Sequence, residues 1–92
     1  MHQSQADVEV ERGERWVKQL ASHLGRKAEV DERAEGVLLR LAGGSCLMSS
    51  DATRVRLVAS APQAEQLERV QQVVGGHFER FAAQEGVLVR WS

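Results

Sequence analysis

Four short β-favouring runs crowd the stretch between residues 27 and 61, with very little chain left to connect them. "KAEVD" breaks at "ERAEG", "VLLRL" at "AGG", "SCLMS" at "SD", and "TRVRLVAS" runs into Pro62. A parallel pair needs a crossover of roughly a dozen residues or more, whereas connections of about two to five residues join antiparallel neighbours. This half of the chain is therefore expected to fold as an antiparallel meander. "AGG" reads as a hairpin turn in which glycine supplies a positive φ. The same stretch, extended to "AGGS", lacks the lysine and the following helix of a phosphate-binding loop.

The meander is flanked by two segments of helical period. Before it, Trp16, Val17, Leu20, Ala21 and Leu24 recur at steps of three and four, and Gly25 follows as a C-terminal cap. After it, Ser60 and Gln63 have the spacing of a capping box, with Pro62 in the first turn. Leu67, Val70, Val74, Phe78 and Phe81 then mark a buried stripe, with Val73 at its flank. Gly75 and Gly76 interrupt that stripe at about 1 kcal/mol each against alanine. They mark either a close approach of another backbone or a kink. "DVEVE" alternates as a short strand before the first helix, and "VLVRW" alternates after the second. The expected order is β-α-β-β-β-β-α-β: one α+β domain over residues 7–92, a largely antiparallel sheet with two helices on one face. Residues 1–6 are polar and expected to fray.

Composition narrows the functional classes. Ninety-two residues, 42% of them hydrophobic and 27% charged, suit one small globular domain rather than a disordered chain. A net charge of −1 offers no global field toward nucleic acid or an anionic membrane. The lone Cys46 excludes a disulfide framework and a CxxC site, and fits a reducing compartment. The stretch from His2 to Asp7 is too polar for a signal-peptide core, and no apolar run approaches the roughly 20 residues of a membrane span. A cytoplasmic location is the expectation.

"WVKQLASHLGRKAEV", Cys46 and "LERVQQVVGGHFERFAAQEGVLVRW" resemble the small bacterial family called domain of unknown function 2218, over residues 8–92. His23, Lys27, Cys46, His77, Glu79, Arg80, Phe81, Glu85 and Trp91 stand at places matching the family pattern. Leu24 and Arg26 stand where that pattern has Trp and a second His, and Ala83 and Gln84 replace an aromatic and an arginine. The resemblance implies the α+β fold and a link to iron acquisition, hence to siderophore or haem handling.

The candidate chemistry is sparse. His77 shares a helix face with Val74 and Phe81, the setting of an edge histidine bonded to a backbone carbonyl. His23 borders the stripe of the first helix, so the two imidazoles approach each other if both helices cover one sheet face. Cys46 would join them if its side chain points toward the helices, giving a ligand set for a metal or haem. A buried cysteine is otherwise a small hydrophobe. No H-x₃₋₅-H or CxxC spacing supports the metal, no base lies beside Cys46 to activate it, and no cofactor is called for. Glu79 and Arg80 are expected at the rim of the aromatic face, Arg80 pairing with an acid such as Glu85.

The sheet's other face offers a second candidate. Parity sets Val37, Leu39, Leu41, Val55, Leu57 and Ala59 under the helices. It leaves Leu38, Leu47, Val58 and Leu88 among Arg40, Arg54, Arg56 and Arg90 on the other side. An apolar patch rimmed by arginines is an interaction surface unless strand acids such as Glu9 and Glu29 pair those arginines. Two functional expectations follow. The first is a non-enzymatic interaction module that pairs with a second copy, or another protein, through this face. The alternative is a small-ligand, metal or haem binder at His23 and His77. Few aromatics are free for base stacking, which argues against nucleic acid.

Overall fold

The computed structural model describes residues 1–92. The meander forms as its turn chemistry dictates. β2 (Glu29–Arg33), β3 (Gly36–Leu41), β4 (Gly44–Ser50) and β5 (Arg54–Ala61) pair in sequence order, each antiparallel to the next. β1 (His2–Glu9) adds to the far side of β5, giving the order β1-β5-β4-β3-β2. α1 (Gly13–Leu24) connects β1 to the meander, and α2 (Ala64–Phe81) follows it. The β3–β4 connection is a two-residue turn with φ of 53° at Ala42 and 81° at Gly43, positive at both positions. That is the twist-matching hairpin turn, with alanine where asparagine or glycine is favoured.

Both helices cover one face, as the parity count requires. Val17, Leu20 and Leu24 of α1 and Val70, Val74 and Phe78 of α2 close over Leu39, Cys46, Met48, Val55, Leu57 and Ala59. The largest fully buried side chain is Phe78, followed in size by Leu20, Leu39, Met48 and Leu57. Burying such a side chain is worth about 1.5–3 kcal/mol, so this one layer carries most of the fold's driving force.

Four local expectations are corrected. Residues 2–6 do not fray: they pair with Leu57 to Ala61, and Ser4 and Ala6 are buried. Their side chains are too small to give an apolar signal, yet small enough to fit beneath α2. The segment after α2 passes through a 3-10 turn (Ala83–Glu85) and then runs extended without forming a sixth strand. Ser92 alone exchanges backbone bonds with Gln5, at 2.9 and 3.2 Å, and its carbonyl also accepts from Ser4 Oγ at 2.9 Å. The capping box does not form. Ser60 stays in β5, where its hydroxyl accepts from Gln3 Nε2 at 3.3 Å, and Gln63 precedes α2 without a side-chain cap. Finally, α2 runs unbroken through both glycines. What approaches Gly75 is the Trp91 indole rather than a backbone, while Gly76 faces open space.

Candidate functional site

His23 lies in the last turn of α1, which ends where the Gly25 N–H bonds Ala21 O at 2.8 Å and the Lys27 N–H bonds Leu24 O at 3.0 Å. His77 lies on α2, with its Nδ1 2.6 Å from the Val73 carbonyl one turn back. A carbonyl can only accept, so Nδ1 carries the proton and Nε2 is the lone-pair nitrogen of the neutral ring. The two helices bring the imidazoles together, with ring centroids 5.2 Å apart. Phe81 completes the cluster, edge-on to His23 at 4.9 Å and 6.2 Å from His77. His77 is thus both the carbonyl-bonded edge residue that its spacing suggests and a neighbour of His23.

Beside this cluster a groove of about 510 Å³ opens between the end of α1, the β3–β4 turn and α2. Its apolar wall is Leu24, Leu41 and Val73, widened by the small Ala28 and Ala42. Its polar lining is His23, His77, Arg26 and Lys27, with no carboxylate. Helical spacing does not single out Arg26 and Lys27, which enter the sequence reading only as a departure from the family pattern and a match to it. The available signal was their position just past a helix whose last turn holds a histidine.

Cys46 does not join the histidines. It is fully buried on β4, between Leu39 and Ala59. Burial pushes its thiol up to about 12 from an ordinary 9.0, leaving a neutral, unreactive group at physiological pH. The expected three-ligand set is therefore reduced to a pair, and no three His, Cys, Asp or Glu side chains converge anywhere to hold a metal ion. Two imidazoles flanked by two cations do not fit a bare divalent cation.

On the opposite sheet face, Leu38, Leu47 and Val58 are direct cross-strand neighbours in one row, each half-buried. The arginines around them are largely paired. Arg56 Nε donates to Asp7 at 2.8 Å, and Arg40 lies 3.8 Å from Glu29 and 3.7 Å from Asp31. The Arg56 hydrogen bond holds the Asp7 carboxyl below its usual range. Arg54 forms no ion pair but lines a wholly polar hollow at the β4–β5 turn with Ser49, Ser50, Asp51 and Arg56. Asp51 there accepts the Thr53 N–H at 2.9 Å, the ordinary bonding of a turn aspartate. Leu88 and Arg90 leave the patch, because their segment is not a ladder strand and β1 stands between it and Val58. Leu88 is 65% exposed. Glu79 also has a role beyond the rim: its carboxylate accepts the Val89 N–H at 2.8 Å and ties the C-terminal segment to α2. Arg80 takes no ion pair.

Comparison with known proteins fits this architecture. A solution NMR structure, that of PA4090 from Pseudomonas aeruginosa, superposes with a TM-score of 0.82 at 27% identity, over 100% of this chain and 96% of that one. No curated protein matches the chain. The family model described as an uncharacterized protein conserved in bacteria matches residues 5–92. This chain belongs to that bacterial family, domain of unknown function 2218.

Proposed function

We propose that this protein is a non-enzymatic binding module and that its site is the histidine groove. The observation that carries the reading is the meeting of His23 and His77, on separate helices, beside a groove with an apolar wall. Its volume lies in the range of roughly 300–1,000 Å³ typical of small-ligand sites, and such sites pair apolar walls with a few polar groups. The Val73 bond also fixes the His77 ring and tautomer, the preorganisation that a binding residue needs. Against catalysis stands the burial of the one thiol. The test is an amide chemical-shift screen of the full chain with a fragment set of mixed charge. Hits should move Leu24, Ala42, Val73 and His77, and Ala28→Trp should abolish them by filling the groove. Hits that map elsewhere and survive Ala28→Trp would remove the groove as the site. The link to iron acquisition that the resemblance implies enters through the same site, as a retained chelate or haem that native mass spectrometry would weigh.

A second reading rests on the cross-strand row. Leu38, Leu47 and Val58 align between the small side chains of Ser45, Ser49 and Ser60, a surface two copies could share. Sedimentation of the wild type at about 100 μM should then show a dimer that Val58→Glu dissociates. A wild-type monomer at that concentration would end this reading.

A further inference from the structure

Given that the groove is the binding site, we propose that its ligand is a small amphipathic organic anion, with a carboxylate or phosphate head against Arg26, Lys27 and His77 and an apolar body on Leu24, Leu41 and Val73. Four basic side chains and no acid line the groove, although the chain as a whole carries a net charge of −1. The local excess is therefore a feature of the groove rather than of the composition. Neither Arg26 nor Lys27 is consumed by an ion pair: every bridge in the protein involves Lys18, Arg33, Arg40 or Arg56.

The competing explanation is that these two cations only balance the C-terminal end of α1. That end carries about half an elementary negative charge, and two of its carbonyls already accept from Gly25 and Lys27. Two full positive charges exceed it, so the groove stays positive. A cationic ligand would be repelled. A neutral apolar ligand would use the wall but leave the basic lining without a partner.

The Val73 bond adds a signature. The Nδ1 proton of His77 is committed to a carbonyl, so Nε2 can donate to an anion only when the ring is an imidazolium. Anion binding through His77 is then favoured by uptake of a proton, and affinity should rise as pH falls. The charged groups facing His77 are His23 from α1 and Arg26 and Lys27 from the segment after it. The β3–β4 turn contributes only Leu41 and Ala42. No carboxylate is placed to reverse the trend.

The test titrates the full chain with octanoate, octyl phosphate, octanol and octylammonium, followed by amide shifts. Octanoate and octyl phosphate should bind at the groove at least roughly tenfold tighter than octanol, and octylammonium weakest. The double variant Arg26→Gln/Lys27→Gln, at two exposed positions, should lose about tenfold in anion affinity and leave octanol unchanged. Octanoate affinity should rise between pH 8 and 5.5 in the wild type and rise less steeply in His77→Gln, where His23 is the one imidazole left in the groove. Octanol binding as tightly as octanoate would overturn the anion assignment and leave the groove standing. Groove resonances unmoved by all four probes would remove the groove together with it.

Discussion

Alanine at Gly76 should stabilise this protein, and alanine one residue earlier should not. Both glycines lie inside α2, where alanine is preferred by about 1 kcal/mol. A Cβ at Gly76 meets nothing within 4 Å, so that preference is realised in full. For a domain of this size about 1 kcal/mol raises Tm by about 4–8 °C. A Cβ at Gly75 would sit 3.1 Å from Trp91 Nε1 and 3.5 Å from both Trp91 Cζ2 and Val89 Cγ1. Neither neighbour can simply swing away, because Val89 is tied to Glu79 and Ser92 to Gln5. Overpacking of this kind costs about 1–3 kcal/mol, enough to cancel the propensity gain or reverse it. Urea unfolding followed by far-ultraviolet circular dichroism should therefore place Gly76→Ala above the wild type and Gly75→Ala at or below it. In a Trp91→Ala background the obstruction is gone, so Gly75→Ala should recover its gain, with a coupling of about 1 kcal/mol or more between the two sites. Equal stabilisation by both alanines in the wild type would refute the seating of the C-terminal segment on α2.

Ala42 holds a φ of 53°, a left-handed conformation that costs an L-residue about 1–2 kcal/mol. Ala42→Asn should raise stability by roughly 0.5–1 kcal/mol in the same urea assay, since Asn-Gly suits this turn. A loss of stability would contradict the turn geometry. The Cys46 thiol, pushed up to about 12 by burial, should resist a thiol reagent at pH 8 until the protein is denatured. Its sign follows from the raised value. The stability held by keeping the thiol neutral is whole below about 9, where the unfolded thiol begins to ionise, and drains away between 9 and 12. At about 1.4 kcal/mol per pH unit this is of order 4 kcal/mol across the window, and Cys46→Ala should flatten that part of the pH dependence. Asp7 has the opposite sense. The Arg56 hydrogen bond depresses its carboxyl, so its small contribution is present above the ordinary carboxylate range and lost as pH falls through the lowered value. A carboxyl NMR titration should return Asp7 toward its ordinary value in Arg56→Gln.

The parts of this fold that could be read from sequence are those decided by local rules. Turns too short for a crossover forced the meander, and parity placed Val55, Leu57 and Ala59 beneath the helices. What escaped was decided by partners distant in sequence. Ser4 and Ala6 carry no apolar signal, and their burial depends on β5, more than fifty residues away. Val87 to Trp91 alternate like a strand, but β1 bonds only to Ser92 beyond them, and α2 takes Val89 and Trp91 instead. Ser60 and Gln63 have a capping spacing, yet pairing with β1 and β4 holds Ser60 in β5. At the site, helical spacing was enough to bring His23 and His77 together. It could not show that Cys46 stays beneath the helices, because parity fixes the face of a strand residue and not its distance from the helix ends.

The groove itself follows from unequal helices. α1 has 12 residues and α2 has 18, which at 1.5 Å per residue differ by about 9 Å in length. α1 meets α2 over the latter's second half, Trp16 against Phe78 and His23 against His77 and Phe81. α1 then stops at Leu24, and the chain turns through Arg26 and Lys27 into β2. Beyond that stop no helix lies beside Val73, and the wall it forms with Leu41 stays open. The same stop that bares the apolar wall sets basic residues at its mouth, since the last turn of a helix and the residues after it favour cations. One structural event, the early end of α1, thus supplies both halves of an amphipathic site. Lengthening α1 past Gly25 would close the wall and carry Arg26 and Lys27 away from it together.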